Sequence, residues 1–227
     1  MNDRIYIEGG HQLKGSVCIQ GSKNAALPMM AASLLHHGTS ILKGCPKIAD
    51  VFCMEEILQN LGAVTWWKGH DLYLDCTNAD GSLVPFSFTG RMRSSVILLG
   101  ALLGRTGKGS LGYPGGCVIG KRPIDMHLLV LRSLGAVITE EGEILTAKCE
   151  KLKGTIVSFP KRSVGATQQG ILGAVLAQGE SILQNCACEP EIQWLCRYLR
   201  SMGACIQGDG SDRICIQGVE HLNAGCI

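Results

Sequence analysis

Leu61-Gly62-Ala63-Val64, Leu134-Gly135-Ala136-Val137 and Met202-Gly203-Ala204-Cys205 are variants of one tetrapeptide. Each stands between an amphipathic segment (52–60, 126–133, 192–201) and a strand–turn–strand pattern (64–74, 137–147, 205–216). Apolar residues at helical spacing followed by glycine predict a helix and its stop; the polar turn residues that follow, such as Glu141-Gly142-Glu143, predict hairpins. A second helical segment opens each unit (25–35, 94–103, 166–177), and each is followed by a short apolar strand beginning at Gly38, Gly107 or Gly179. Lys23, Arg93 and Ser163 precede these first helices at intervals of 70 residues. Three units of about 22–91, 92–160 and 161–227 therefore repeat helix, strand, loop, helix and hairpin.

No such unit can bury its own apolar faces, so the expected fold is mixed α/β, with the units packed around a common axis. The first helices are the inner candidates, because 94–103 is apolar nearly all round. With sheets outside, three inner-helix N-termini meet at one pole, where unpaired N–H groups and partial positive charge favour an anion.

Composition narrows the remaining classes. Lys and Arg number 21 against 19 Asp and Glu, a net charge of +2, which argues against nucleic acid or a membrane surface as the main partner. The apolar run 94–104 lies between Arg93 and Arg105 and is far shorter than the roughly 20 residues that cross a bilayer. The start, Met1-Asn2-Asp3-Arg4-Ile5, lacks an export pattern, so the expectation is a soluble, cytoplasmic protein. The 12 cysteines include no Cys-x-x-Cys, and the Cys186/Cys188 pair lacks partners at zinc spacing. Most of these thiols read as small core hydrophobes, with no metal expected.

At the first terminus Ser22 or Asn24 is a capping candidate, Lys23 adds a full charge, and Pro28 is expected within the first turn. Arg91 and Arg93 stand at the second terminus; Lys161, Arg162 and Ser163 stand at the third. Distances from these marks to the acid that opens each second helix are 27 residues (Lys23 to Asp50), 28 (Ser163 to Glu191) and 32 (Arg93 to Asp125). The middle unit carries the excess in 113–125, a glycine-containing loop with Cys117, Lys121 and Arg122, of the kind that is disproportionately functional. Nearby cations make Cys117 a candidate for a lowered thiol pKa and for nucleophilic or acid–base work; a buried inert thiol is the alternative. Asp125 reads as a helix-terminal carboxylate or as an acceptor for a ligand proton. His127, with no evident acid partner, reads as a structural residue.

At these residues the chain resembles the UDP-N-acetylglucosamine enolpyruvyl transferases. The resemblance rests on Lys23-Asn24-Ala25-Ala26-Leu27-Pro28, Met92-Arg93-Ser94-Ser95, Pro114-Gly115-Gly116-Cys117, Gly120-Lys121-Arg122-Pro123-Ile124-Asp125-Met126-His127, Ser163-Val164-Gly165-Ala166-Thr167, Glu189-Pro190-Glu191-Ile192 and Asp212-Arg213-Ile214. It implies an inside-out α/β barrel of the enolpyruvyl transferase type, inner helices surrounded by sheets. It also implies transfer of the enolpyruvyl group of phosphoenolpyruvate to the 3-hydroxyl of UDP-N-acetylglucosamine, through a tetrahedral intermediate that eliminates phosphate, the first committed step of peptidoglycan synthesis. The roles it implies are Cys117 as proton donor at the methylene carbon and Lys23, Asn24 and Arg122 as phosphoenolpyruvate ligands. For the nucleotide sugar it implies Arg93, Arg122, Pro123, Ile124, Asp125, Met126, Lys161, Arg162, Ser163 and Val164, with no metal or organic cofactor.

In that family two domains of similar form close over the active site, and the first stretch, here 1–21, belongs to the domain that has no counterpart in this sequence. The expected partner, besides the two small-molecule substrates, is thus that second domain or a complementing chain. A non-catalytic fragment that binds a nucleotide sugar, or one half of a split enzyme, is the alternative. The related 5-enolpyruvylshikimate-3-phosphate synthases lack the Pro-Gly-Gly-Cys loop, and Cys117 counts against them.

Overall fold

The computed structural model describes residues 4–114 and 123–227; Cys117, Lys121 and Arg122 lie outside them. Unit one comprises α1 (Lys23–Ala32, continued by a 3₁₀ turn Ser33–Leu35), β1 (Thr39–Leu42), α2 (Ala49–Asn60), β2 (Val64–Lys68), β3 (Asp71–Asp75), β4 (Leu83–Val84) and the short α3 (Phe86–Thr89). Unit two has a 3₁₀ turn Arg93–Ile97 leading into α4 (Leu98–Thr106), then β5 (Lys108–Gly112), α5 (Asp125–Ser133), β6 (Val137–Glu141), β7 (Ile144–Lys148) and β8 (Ile156–Ser158). Unit three has α6 (Val164–Ala174), β9 (Glu180–Gln184), α7 (Pro190–Ser201), β10 (Cys205–Gln207) and β11 (Arg213–Gln217). Residues 4–21 form neither helix nor strand, and their Ile5, Ile7, Leu13, Val17 and Ile19 side chains are exposed.

The three tetrapeptides end α2, α5 and α7 identically. Gly62, Gly135 and Gly203 take φ near +100° (+103°, +96° and +103°), where a side chain would be strained. Ala63 N–H reaches the Leu58 carbonyl and Gly62 N–H that of Gln59; Ala136/Gly135 and Ala204/Gly203 repeat the pair of bonds at 3.0 Å. This double closure satisfies helix-end carbonyls and turns the chain into its hairpin.

Burial separates inner from outer helices as expected. From Ala25 to Ala32 every residue of α1 is buried, as are 98–103 of α4 and 166–174 of α6. The second helices bury one stripe only, such as Ile192, Leu195, Cys196 and Leu199 of α7. Glycine permits the central crossing: a Cβ at Gly100 of α4 stands 3.0 Å from the Gln169 carbonyl of α6, and one at Gly104 stands 2.9 Å from Leu35.

Among the described residues the strands form three sheets, ordered β1-β3-β2, β4-β5-β7-β6 and β10-β11-β9-β8. Each hairpin is antiparallel, whereas β4 runs parallel to β5 and β8 parallel to β9. Unit one thus lends an edge strand to the second sheet, and unit two lends one to the third. The third unit returns the loan: Cys226 bridges Ile41 in parallel, with Ile41 N–H on the Gly225 carbonyl (2.9 Å) and Lys43 N–H on that of Ile227 (2.7 Å). Buried Ser33 and Tyr198 hydroxyls, 2.9 Å apart, join the same two units inside.

Two expectations need correction. Pro28 is the sixth residue of α1, in its second turn. Its missing N–H leaves the Asn24 carbonyl without the helical donor, and the Gln168 amide of α6 supplies one at 3.4 Å. Of eleven described cysteines only Cys45, Cys53, Cys76, Cys186 and Cys196 are buried, fewer than expected, because alternation along β10 and β11 turns Cys205 and Cys215 outward.

Candidate active site

The inner helices bring their N-termini to one pole, around a cavity of about 550 Å³. Its walls include Lys23, Asn24 and Leu27 of α1, Arg91, Met92, Arg93 and Ser94 ahead of α4, and Val164, Gly165 and Gln168 of α6. Asp50, His127 and Glu191, from the starts of α2, α5 and α7, complete it. The rotational register read from the sequence is therefore real in space.

Each terminus is finished differently. Ser163 caps α6, its hydroxyl accepting from Ala166 N–H at 3.3 Å. Ser22 occupies the matching position before α1, yet its side chain makes no capping bond. Lys23 Nζ instead lies 2.8 Å from Asp50 Oδ2, the Asn24 amide donates to Glu191 Oε1 at 3.3 Å, and Arg91 meets Glu56 at 3.3 Å. Arg93 donates to the Pro123 carbonyl at 2.9 Å, tying the second terminus to the returning end of the 113–125 loop.

The remaining sequence-nominated residues divide. Pro123 contributes its backbone to this knot. Ile124 and Met126 are buried and their side chains serve the core; Asp125 is exposed in the first turn of α5. Val164 lines the cavity and Ser163 stands directly before it. Lys161 and Arg162 are exposed outside the lining, with Arg162 3.9 Å from Asp212. Cys117 and Arg122 fall outside the described residues. Burial pushes the Cys45, Cys76, Cys186 and Cys196 thiols up to about 12, leaving them protonated and poorly nucleophilic at neutral pH.

The sequence reads His127 as a structural residue on the helix that opens at Asp125. In the fold it is 8% exposed, walls the cavity and packs so closely on Gly165 that a Cβ there stands 2.8 Å from its Cε1. Burial, then the Arg93 charge, lower its pKa to about 4, so the imidazole is neutral at ordinary pH. The acids Asp50 and Glu191 were also passed over as partners, although their regular offsets from the first-helix marks pointed to them.

The fold is a three-unit inside-out α/β barrel whose converging helix ends carry cations and amides over one cavity. The chain belongs to the EPSP synthase (3-phosphoshikimate 1-carboxyvinyltransferase) family, whose model matches residues 7–227. It is 44% identical over 225 residues to the UDP-N-acetylglucosamine 1-carboxyvinyltransferase of Chlorobium limicola, covering 98% of this chain and 53% of that protein. The protein of that name from Zymomonas mobilis is 42% identical over 230 residues, covering 97% and 54%. The chain spans about half the length of the curated relatives it matches. Among solved structures the enolpyruvyl transferase NikO of Streptomyces tendae superposes with a TM-score of 0.83 at 23% identity, over 96% of this chain and 52% of NikO. An EPSP synthase of Acinetobacter baumannii gives 0.76 at 20%, over 94% and 49%. These two likenesses support the expected fold class. No helix among the described residues is long and apolar enough to cross a membrane.

Proposed function

We propose that this chain is the catalytic-loop half of a UDP-N-acetylglucosamine 1-carboxyvinyltransferase. It would act in the cytoplasm, in peptidoglycan synthesis, with phosphoenolpyruvate and UDP-N-acetylglucosamine as substrates. The observation that carries this reading is the gathering of Lys23, Asn24 and Arg93 at the α1 and α4 termini around one cavity. Both substrates bear phosphate, and fixed donors and cations stabilise charge that builds as the tetrahedral intermediate forms and loses phosphate. Lys23 and Asn24, with Arg122, would hold phosphoenolpyruvate. Arg93, the 122–126 stretch and the 161–164 stretch would take the nucleotide sugar, and Cys117 would protonate the methylene carbon. The chemistry asks for no metal or organic cofactor.

The reaction also needs a second wall. Lys23 and Asp50 side chains are 49% and 38% exposed, so nothing among the described residues excludes water from the pair. We assign that wall to a second domain or complementing chain, to which residues 1–21 would contribute, while 22–227 form the three-unit body. The exposed apolar side chains of 4–21 support this. The test is phosphate release from both substrates by this chain, alone and mixed with the complementing half of a relative. Negligible release alone, release on mixing, and its loss with Cys117→Ala are expected. Release on mixing that survives Cys117→Ala removes the assigned proton donor. Fosfomycin alkylation, mapped by mass spectrometry, is expected at Cys117 in preference to the other thiols.

A further inference from the structure

The polar groups of the α1 terminus are already engaged inside the cavity. Asp50 and Glu191 occupy the first turns of α2 and α7 and approach that terminus from two units, Asp50 on Lys23 and Glu191 on Asn24. A first-turn carboxylate is stabilised by the unpaired N–H groups and positive end of its own helix, so it loses little when its cation is drawn away. The Lys23–Asp50 pair is also half-exposed, which makes it exchangeable. Yet a phosphate seated on Lys23 stands beside the Asp50 carboxylate, and like charges at that distance repel.

We propose that Asp50, with Glu191 in a lesser part, is a positioning residue that makes this pocket discriminate against bare inorganic phosphate. The proposal rests on the anion-site reading above. Lys23 is held aimed across the terminus but neutralised. A small dianion must displace Asp50 and gains mainly Lys23 among the described residues, whereas a larger phosphorylated ligand adds contacts to Arg93, Asn24 and the helix ends that offset the displacement. In the proposed reaction inorganic phosphate is the departing product, and a pocket that holds it weakly releases it.

The test is binding of inorganic phosphate to the full chain, followed by ³¹P NMR at about 0.15 M salt, where distant exposed charges are screened. Asp50→Asn is expected to bind phosphate about three- to fivefold more tightly, the size an exposed pair carries. Asp50→Ser, which keeps a hydroxyl in the first turn of α2, is expected to show the same gain, and Glu191→Gln a smaller one. In a Lys23→Met background the Asp50→Asn gain is expected to vanish, a coupling that a merely structural role for Asp50 does not produce. Glu140→Gln removes the same charge from the remote Arg132 pair and is expected to change nothing. Unchanged or weaker binding by Asp50→Asn, a gain that persists without Lys23, an equal gain from Glu140→Gln, or no phosphate binding by any of these proteins overturns the proposal. Turnover is not read, so failure of the transferase assignment is a separate result: the phosphate gain stands even where the complemented enzyme is inactive.

Discussion

The N-termini of α1 and α6 occupy equivalent positions in the repeat and are finished in opposite ways. The α6 end is sealed: Ser163 caps it, and the neutral His127 ring lies against Gly165. The α1 end is open: Ser22 makes no cap, and Lys23 and Asn24 turn to exchangeable partners on neighbouring helices. A repeated backbone thus supplies two kinds of terminus, one capped by its own serine and one whose polar side chains are held by exchangeable partners, and only the side chains at two or three positions decide which.

The strongest way to break this contrast is to charge the seal. The His127 pKa is depressed from 6.5 to about 4, so between these values the unfolded chain binds the proton and the folded one does not. Stability is therefore full above pH 6.5 and is lost as pH falls toward 4, by about 3 kcal/mol from this group. Buried His36, also lowered, pushes the same way. Denaturant titrations across that range are expected to show the loss, and His127→Gln to flatten it; an identical pH slope in the variant would mean His127 is not the group that titrates.

At the open end, on the proposed function, Lys23→Met is expected to weaken phosphoenolpyruvate binding about tenfold or more by calorimetry, the scale of a charge-assisted bond, with thermal stability barely changed. A loss of stability without loss of affinity would reverse the roles of the two termini. The smallest effects sharpen the same point. Ser163→Ala is expected to cost about 1 kcal/mol in chemical unfolding as the cap is lost, whereas Ser22→Ala stays within a few tenths because there is no cap to lose. Equal costs at both serines would erase the distinction.

Much of this architecture is legible in one dimension, for a physical reason. The Leu-Gly-Ala ends record a local requirement, left-handed backbone after a helix, and the all-round apolar 94–103 segment records an inner position. The lent strands β4 and β8 and the bridge at Cys226 escaped, because pieces of two or three residues carry no periodicity and their partners belong to another unit. Gln168, donating to the carbonyl that Pro28 leaves without its helical donor, is likewise visible only once α1 and α6 lie side by side. In the site, cations at helix starts were readable from spacing, and Lys23 and Arg93 do share a cavity. The carboxylates that hold Lys23 and Asn24 show in the sequence as regular offsets without a partner, since the Asp50 pair depends on how α2 folds back on α1 and the Glu191 pair on how far the ring has turned. The sequence reads His127 as a structural helix residue, but its charge state depends on the desolvation it meets after packing.

The loan of edge strands has a mechanical consequence. Because two sheets take their outermost strand from the preceding unit and the first is bridged at Ile41 by Cys226 of the third unit, no third of the molecule can detach without stripping hydrogen bonds from another. Such interlocking couples the thirds into a single melting transition, in which slow amide exchange spreads evenly over all three sheets rather than fading from one end.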